Sequence, residues 1–516
     1  FEADPAPSVR SVKHSPAVPG RGDIVVVTCS ITTVEELTEA EVQWSVAGGD
    51  SGSSLLRDDG EGADEIAADG EYSAGIPAQD DGDVVRFSIV TSTAAGGRTR
   101  MPLEPEADPF RNFQGVFYLY EVDNSSPPST GAEVFRIVMN PNDSDELEDR
   151  DEDSNVLLPA TLICDGEIFY CVGVRYRGEN SRQLNNKAFK IRLAPENSCK
   201  GIRNMNLLAG NGNDFGTSTF TELLSSDLYR RMGEPYPQEW NAVLHFAGVV
   251  NRDFDTRYIR KEAYDETFLD RFFAGNAHGN LYRPMDPGGL GGFGGRERMG
   301  DLRYQGEDVD DYRLIYDKKT NNDEDDFSDI IALTRFFDAG ETPQAEFRQR
   351  AEEMLDVRQW ARFFAVMACI TNSDGGIWND GGEDYFLYHM PEDADRPDAG
   401  KWLILCWDLE ETFTGSNERL FRPEADALVR FFSVPEFARL YYEELIKARR
   451  GVFSRGQMRQ RYGYADVMFA PDDIYDVVDE TDTTVTERLG YFDANITLGV
   501  EGGARRNQDG GVAIIA

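Results

Sequence analysis

The chain has 516 residues, 40% hydrophobic and 28% charged, a length that exceeds one ordinary core and a composition that excludes a disordered chain. Its formal net charge of -42 argues against binding nucleic acid or an anionic membrane through bulk electrostatics, because phosphate would be repelled. It also lacks an apolar run of about 18 residues, so no membrane span is expected. Only nine of the 52 basic residues are Lys; the acidic, Arg-preferring surface fits a saline habitat and a codon bias equally well.

The start FEADPAPSVR and the end GVAIIA read as the edges of a piece of a longer precursor. Residues 1–104 carry short runs rich in β-branched and aromatic residues, DIVVVTCSI, AEVQWSVA, GEYSAGIPA and DVVRFSIVTS, separated by Gly, Asp and Pro. That spacing predicts a β-sandwich. The acids of DDGEGADEIAADG are dense enough to suggest calcium, although turn acids facing solvent explain them more simply. A Pro-punctuated connector, PLEPEADPFRN at 102–112, then leads into mixed α and β pattern.

Residues 143–155, DSDELEDRDEDSN, read as a solvated acidic loop. Strands are expected at LLPATLIC, IFYCVGVRYRG and AFKIRL, then an amphipathic helix from about Ser218 to Met232 stopped by Gly233 and Pro235. NAVLHFAG and TRYIRKEAY add two more strands, and GGLGGFGGRERMG at 288–300 reads as a flexible loop. From Asp326 to Ile370, and again beyond Phe413, helices are expected. The six cysteines form no CxxC or Cys/His cluster, which makes a zinc site improbable. Cys164 and Cys171 flank the turn Asp165-Gly166 and are expected to pair across a hairpin, whereas Cys369 and Cys406 read as buried thiols.

Chemistry concentrates at NSDGGIWN, residues 372–379, and LILCWDLEETF, residues 403–413. Phosphoryl transfer needs a carboxylate near the accepting hydroxyl, oxygen ligands for divalent metal and a cation on the phosphates. Asp374 and Asn379 have the five-residue interval of the kinase base and metal-binding Asn, and Asp408 follows an apolar strand. The interval alone is common in loops. Four His and no G-x-S-x-G leave little room for a His-based hydrolase triad.

The ordered set RYRGENS, AFKIRL, a helix containing Glu222, NSDGGIWN, DYFLYHM and WDLEETF resembles the CotH kinase family, the spore coat protein H-like secreted kinases, over residues 113 to about 480. Residues 1–104 resemble immunoglobulin or fibronectin III-like modules. The implied fold class is α+β and multidomain: a sandwich over 1–104, an atypical kinase-like domain with a mostly helical C-terminal part over 113–500, and a linker or further segment over 501–516. By that resemblance Asp374 is the catalytic base, and Asn379 and Asp408 ligate the metal. Glu222 pairs with a phosphate-binding Lys, either Lys190, by its A-x-K spacing, or Lys187, before the strand. Arg177 and Ser181 lie in the loop over the phosphates. Thr221, Asp384 and Glu410 depart from the family pattern, which leaves magnesium, manganese and calcium open as the metal.

The resemblance implies a secreted or cell-surface, monomeric enzyme that uses ATP and a divalent metal to phosphorylate Ser or Thr of extracellular or surface proteins. The competing expectation is an inactive kinase-like scaffold or adhesion module, and transfer of an adenylyl group is a third.

Overall fold

The computed structural model describes residues 6–103, 117–178, 180–183, 187–209, 215–247, 254–285, 300–372, 376–379, 382–421, 423–465, 471–496, 504–506 and 512–514. Asp374, all of the glycine-rich loop except Gly300, and the connector from residue 104 lie outside them. The chain divides into two compact units, residues 1–207 with 241–258, and residues 208–240 with 259–516.

The first unit begins with β1 (Ser8–Ser15), β2 (Val25–Thr32), β3 (Leu37–Val46), β4 (Ser51–Leu55), β5 (Glu71–Ile76), β6 (Val84–Thr93), β7 (Arg98–Met101) and β8 (Tyr118–Glu121). One sheet has the order β1-β2-β5 and the other β4-β3-β6-β7, with β8 also paired to β6. Alternation along β2 turns Val25, Val27, Cys29 and Ile31 into one core shared with Val42, Val85, Phe87 and Ile89 of the other sheet. The expected sandwich is therefore present, and β8 extends it past the connector. In the acidic turn, Asp58 accepts from the Asp69 and Gly70 amides and Asp64 from the Gly60 amide, so these carboxylates organise the turn backbone.

The chain continues with β9 (Glu133–Val138), α1 (Pro141–Asp149), β10 (Leu158–Cys164), β11 (Glu167–Arg177), β12 (Ala188–Arg192), β13 (Asn204–Ala209), β14 (Glu239–Ala247) and β15 (Asp255–Glu262), of which residues 208–209, 239–240 and 259–262 belong to the second unit. These strands close a barrel in the order β10-β11-β12-β13-β15-β14-β9. Cys164 bridges Cys199, not Cys171. The tight turn at Asp165-Gly166 sets Cys164 opposite Glu167, which leaves Cys171 out of register with it.

The acidic stretch is also corrected, because residues 141–149 are α1, with Pro141 in the first turn and Asp143, Ser144 and Leu147 buried. Burial, with Glu146 nearby, raises the Asp143 carboxyl to about 6. The folded state then binds this proton more tightly than the unfolded chain, whose Asp titrates near pH ~4. Its stabilising contribution is complete below that pH and is lost as pH rises toward 6. Urea unfolding checks this: Asp143→Asn should be more stable than wild type at pH 7 and equal to it at pH 4.

The second unit contains α2 (Phe215–Met232), α3 (Glu266–Phe273), β16 (Asn280–Pro284), α4 (Val309–Ile315), β17 (Tyr316–Lys318), α5 (Ser328–Phe337), α6 (Gln344–Met354), α7 (Val357–Ile370), β18 (Tyr385–His389) and β19 (Trp402–Cys406). After these come α8 (Asp426–Phe432), α9 (Pro435–Arg450), α10 (Arg455–Arg459) and α11 (Pro471–Asn495). The sheet order is β17-β16-β18-β19. Its core joins Phe268 and Leu269 of α3 to Phe386 and Tyr388 of β18 and Leu403 and Leu405 of β19. Gln359 of α7 bonds both backbone groups of Ile404 and fixes β19 against that helix.

One expectation about α2 changes. The helix stops at Gly233, whose φ of 84° suits glycine, but it is not amphipathic: every residue from Ser218 to Tyr229 is buried. Its polar residues face partners, not water, and those partners form the site. Among the described residues no helix is long and apolar enough to cross a membrane.

Candidate active site

β19 is a fully buried run, Trp402–Cys406, paired antiparallel to β18 with Tyr385 opposite Cys406. The pairing brings Asp384, before β18, and Asp408, after β19, to the same end of the sheet. Both are left-handed, at φ 61° and 51°, as are Thr371 and Phe413 nearby. A non-glycine residue in that region costs free energy and persists where its surroundings over-determine it, typically at functional sites. Asp408 itself is half-buried, and among the described residues its carboxylate accepts no hydrogen bond.

The polar face of α2 holds the turn that carries Asp408. Thr221 donates to the Glu410 carbonyl at 3.1 Å, Glu222 accepts from the Leu409 amide at 2.7 Å, and Ser225 bonds the Thr412 hydroxyl at 2.9 Å. Positions i, i+1 and i+4 thus grip three points of WDLEETF. Thr221 and Glu410, both departures from the family pattern, meet in one of these bonds.

The other oxygen of Glu222 receives the ammonium of Lys261 from β15, with both side chains buried. Lys261 also lies 3.3 Å from Glu239 and 4.4 Å from the centre of the Trp407 ring. Burial opposes its charge, but Glu222, Glu239 and Asp408 together raise its pKa. Burial chiefly drives the Glu239 pKa upward; Lys261 opposes this and Glu222 adds to it. Lys261 was not singled out in the sequence. The available signal was a Lys in a chain with nine, inside the strand-forming run TRYIRKEAY.

Two hydrogen bonds set the segment that leads into NSDGGIWN beside this turn. The Phe413 amide donates to the Ile370 carbonyl at 2.6 Å, and Thr414 donates to the Thr371 carbonyl at 3.4 Å. Residues Gly376–Asn379 form a 3-10 turn. Gly376 has φ 48°, and a Cβ there would stand 1.7 Å from the Glu383 carbonyl, so this turn packs directly on the entry to β18. Asn379 closes the turn; its side chain and all of Asp374 lie outside the described residues. Trp378 is core, stacked on Phe364 with ring centres 5.1 Å apart.

Arg488 of α11 ties these pieces together. Fully buried, it donates to the carbonyls of Ala368 on α7 and of Ser416 and Glu418 beyond Asp408. The segments leading into one loop and out of the other therefore share one guanidinium.

The remaining sequence candidates belong to the first unit. Lys190 lies half-buried on β12, opposite Arg175 on β11 and Asn206 on β13. Lys187 is engaged by Glu152 and the Arg182 carbonyl, beside the Tyr176 ring. Arg177 ends β11 opposite Ala188, and Ser181 lies in the 3-10 turn Asn180–Gln183 with its side chain outside the described residues. Glu262, in the second unit, is buried against Arg271 and the Gln238 amide.

Also in the first unit, Glu121, Asp123 and His245 place ligand-type atoms within 4.8 Å of one another. His245 Nε2 meets Glu121 at 2.7 Å, while Arg136 and the Ser125 hydroxyl occupy Asp123. A guanidinium already supplies a cation there; against the opposing effect of burial, the Ser125 hydrogen bonds and Arg136 together hold the Asp123 carboxyl below the usual range. The group is a buried ion-pair network.

Residues 174–480 match the family described as CotH kinase protein. Inner spore coat protein H of Bacillus subtilis is 25% identical over 295 residues, which cover 55% of this chain and 72% of that protein. Solved structures give weaker likenesses. A cycloalternan-forming enzyme from Listeria monocytogenes is 13% identical over 40% of this chain and 15% of its own, at a TM-score of 0.17. A cycloalternan-degrading enzyme from Trueperella pyogenes is 7% identical over 53% of this chain and 37% of its own, at a TM-score of 0.15. The chain thus spans well under half the length of either enzyme, and at such scores neither bears on the fold. With more than half of its length matched, and with WDLEETF and the 3-10 turn of NSDGGIWN inside the match, this chain belongs to the CotH kinase protein family.

Proposed function

We propose that this protein is a secreted or surface-associated protein kinase that transfers the γ-phosphoryl group of ATP to Ser or Thr of extracellular proteins. The observation that carries the reading is the left-handed turn at Asp408, gripped by Thr221, Glu222 and Ser225 and charge-balanced by Lys261. A left-handed carboxylate that accepts no hydrogen bond among the described residues has oxygens to offer, and a hard divalent ion needs such oxygens.

In this reading Asp408 and Asn379 hold the metal, and the donor set suits magnesium, manganese or calcium. When bound, the ion neutralises charge on the phosphates. Asp374 orients the accepting hydroxyl and takes its proton. Lys261 and Glu222 act by positioning the Asp408 turn. Lys187, in the first unit, is drawn to Glu152. The Cys164–Cys199 disulfide supports an oxidising, extracellular compartment.

Incubation with ATP labelled at the γ or the α position tests this. Metal-dependent γ-label on protein Ser or Thr, reduced about 10²–10³-fold in Asp408→Ala, is the expected result. Label from the α position would replace the reading with adenylyl transfer. No label from either, with an intact fold, would leave a kinase-like scaffold.

A further inference from the structure

In a chain of net charge -42, one place in the second unit carries a positive surplus. Asp227, on α2, is buried with its side chain 4% exposed, and three guanidiniums converge on it. Arg230 donates to one carboxylate oxygen, while Arg231 and Arg461 approach the other at 3.7 and 3.3 Å. Neither of those two approaches has hydrogen-bond geometry: Arg231 Nη1, Arg461 Nε and the carboxylate oxygen between them are buried without a bond. Arg231 also donates to Gln457 of α10. Burial and the two neighbouring Arg charges depress the Arg231 pKa.

Among the described residues, one carboxylate against three guanidiniums leaves a surplus of two positive charges. Nearby Arg455 and Arg459 share Asp482 and do not draw on Asp227. Arg230 and Arg461 remain 42% and 34% exposed, so part of each planar fork faces outward while Asp227 fixes its inner edge. Guanidinium forks match phosphate oxygens in pairs, and a phosphomonoester near neutral pH carries about 1.5 to 2 negative charges, the size of the surplus. A single carboxylate would neutralise only half of it.

We propose that Arg230, Arg231 and Arg461, arrayed on Asp227, form a binding site for a phosphomonoester dianion, of the kind borne by a phosphorylated serine or threonine. The site is separate from the Asp408 turn and binds without catalysing, so the proposal stands whether or not the chain transfers phosphoryl groups.

Calorimetric titration of the full chain with inorganic phosphate, a phosphoserine peptide and its unphosphorylated form tests the site. Binding of the phosphopeptide and not of its parent is expected, weakened at least tenfold in Arg230→Gln/Arg461→Gln, whose exposed side chains can change without unfolding the protein. Inorganic phosphate should compete. Tight phosphate binding with no gain for the peptide would assign the site to free phosphate and overturn its peptide role. A second readout separates binding from a structural part: Asp227→Asn raises the surplus to three, so phosphate should lift its melting temperature more than that of wild type. Equal melting shifts, or no binding by any probe, overturn the proposal.

Discussion

Lys261→Met should lower stability by about 3–5 kcal/mol, because it removes the cation from a buried pair and leaves Glu222 without a charge partner. Phosphoryl transfer should fall with it, since the carboxylate that receives the Leu409 amide would lose the cation that fixes its other oxygen. Urea unfolding and γ-label transfer check the two effects. The double variant Lys261→Met/Glu222→Gln separates them. A neutral Gln can still accept from Leu409, so most of the lost stability should return. Transfer should not recover fully, because Lys261 is also the charge that Asp408 faces. Full recovery of both would show that the pair serves only folding.

Arg488→Met should have the second large effect. The substitution fills much of the same volume but strands the buried carbonyl of Ala368 and the half-buried carbonyls of Ser416 and Glu418, at a combined cost of about 3 kcal/mol. Because those carbonyls flank both functional loops, transfer should drop more than tenfold at temperatures where the variant is still folded. Thermal unfolding and kcat measured on the same preparation test this; a variant that loses stability and keeps its kcat would reduce Arg488 to a structural role.

How much of this could be read beforehand varies by element. The strands at 25–32, 84–93 and 402–406 were legible because burial follows the period of two or fills short apolar runs bounded by turns. The place of Asp408 just after such a run was legible for the same reason. The pairing of Glu222 was not. Its Lys lies thirty-nine residues away on a strand, and only the three-dimensional arrangement brings it close. The polar residues of α2 look like a solvent face in sequence, because hydrogen-bonded burial and hydration leave the same pattern. The acidic stretch 143–155 misled in the opposite direction: Leu147 is its one large apolar residue before Asp149, yet α1 buries it together with Asp143. Disulfide partners follow register, and a turn that sets Cys164 against Glu167 excludes Cys171 in a way that spacing does not reveal.

The central claim is that Asp408, on its left-handed turn, is a metal-bearing carboxylate. A crystal structure of the protein with manganese and a non-hydrolysable ATP analogue tests it most directly through the anomalous signal of the metal. The account predicts an anomalous peak within coordination distance of an Asp408 oxygen, shared with the phosphates and with Asn379, and its loss in Asp408→Ala. Nucleotide bound elsewhere, or a metal site that Asp408 does not touch, would contradict it.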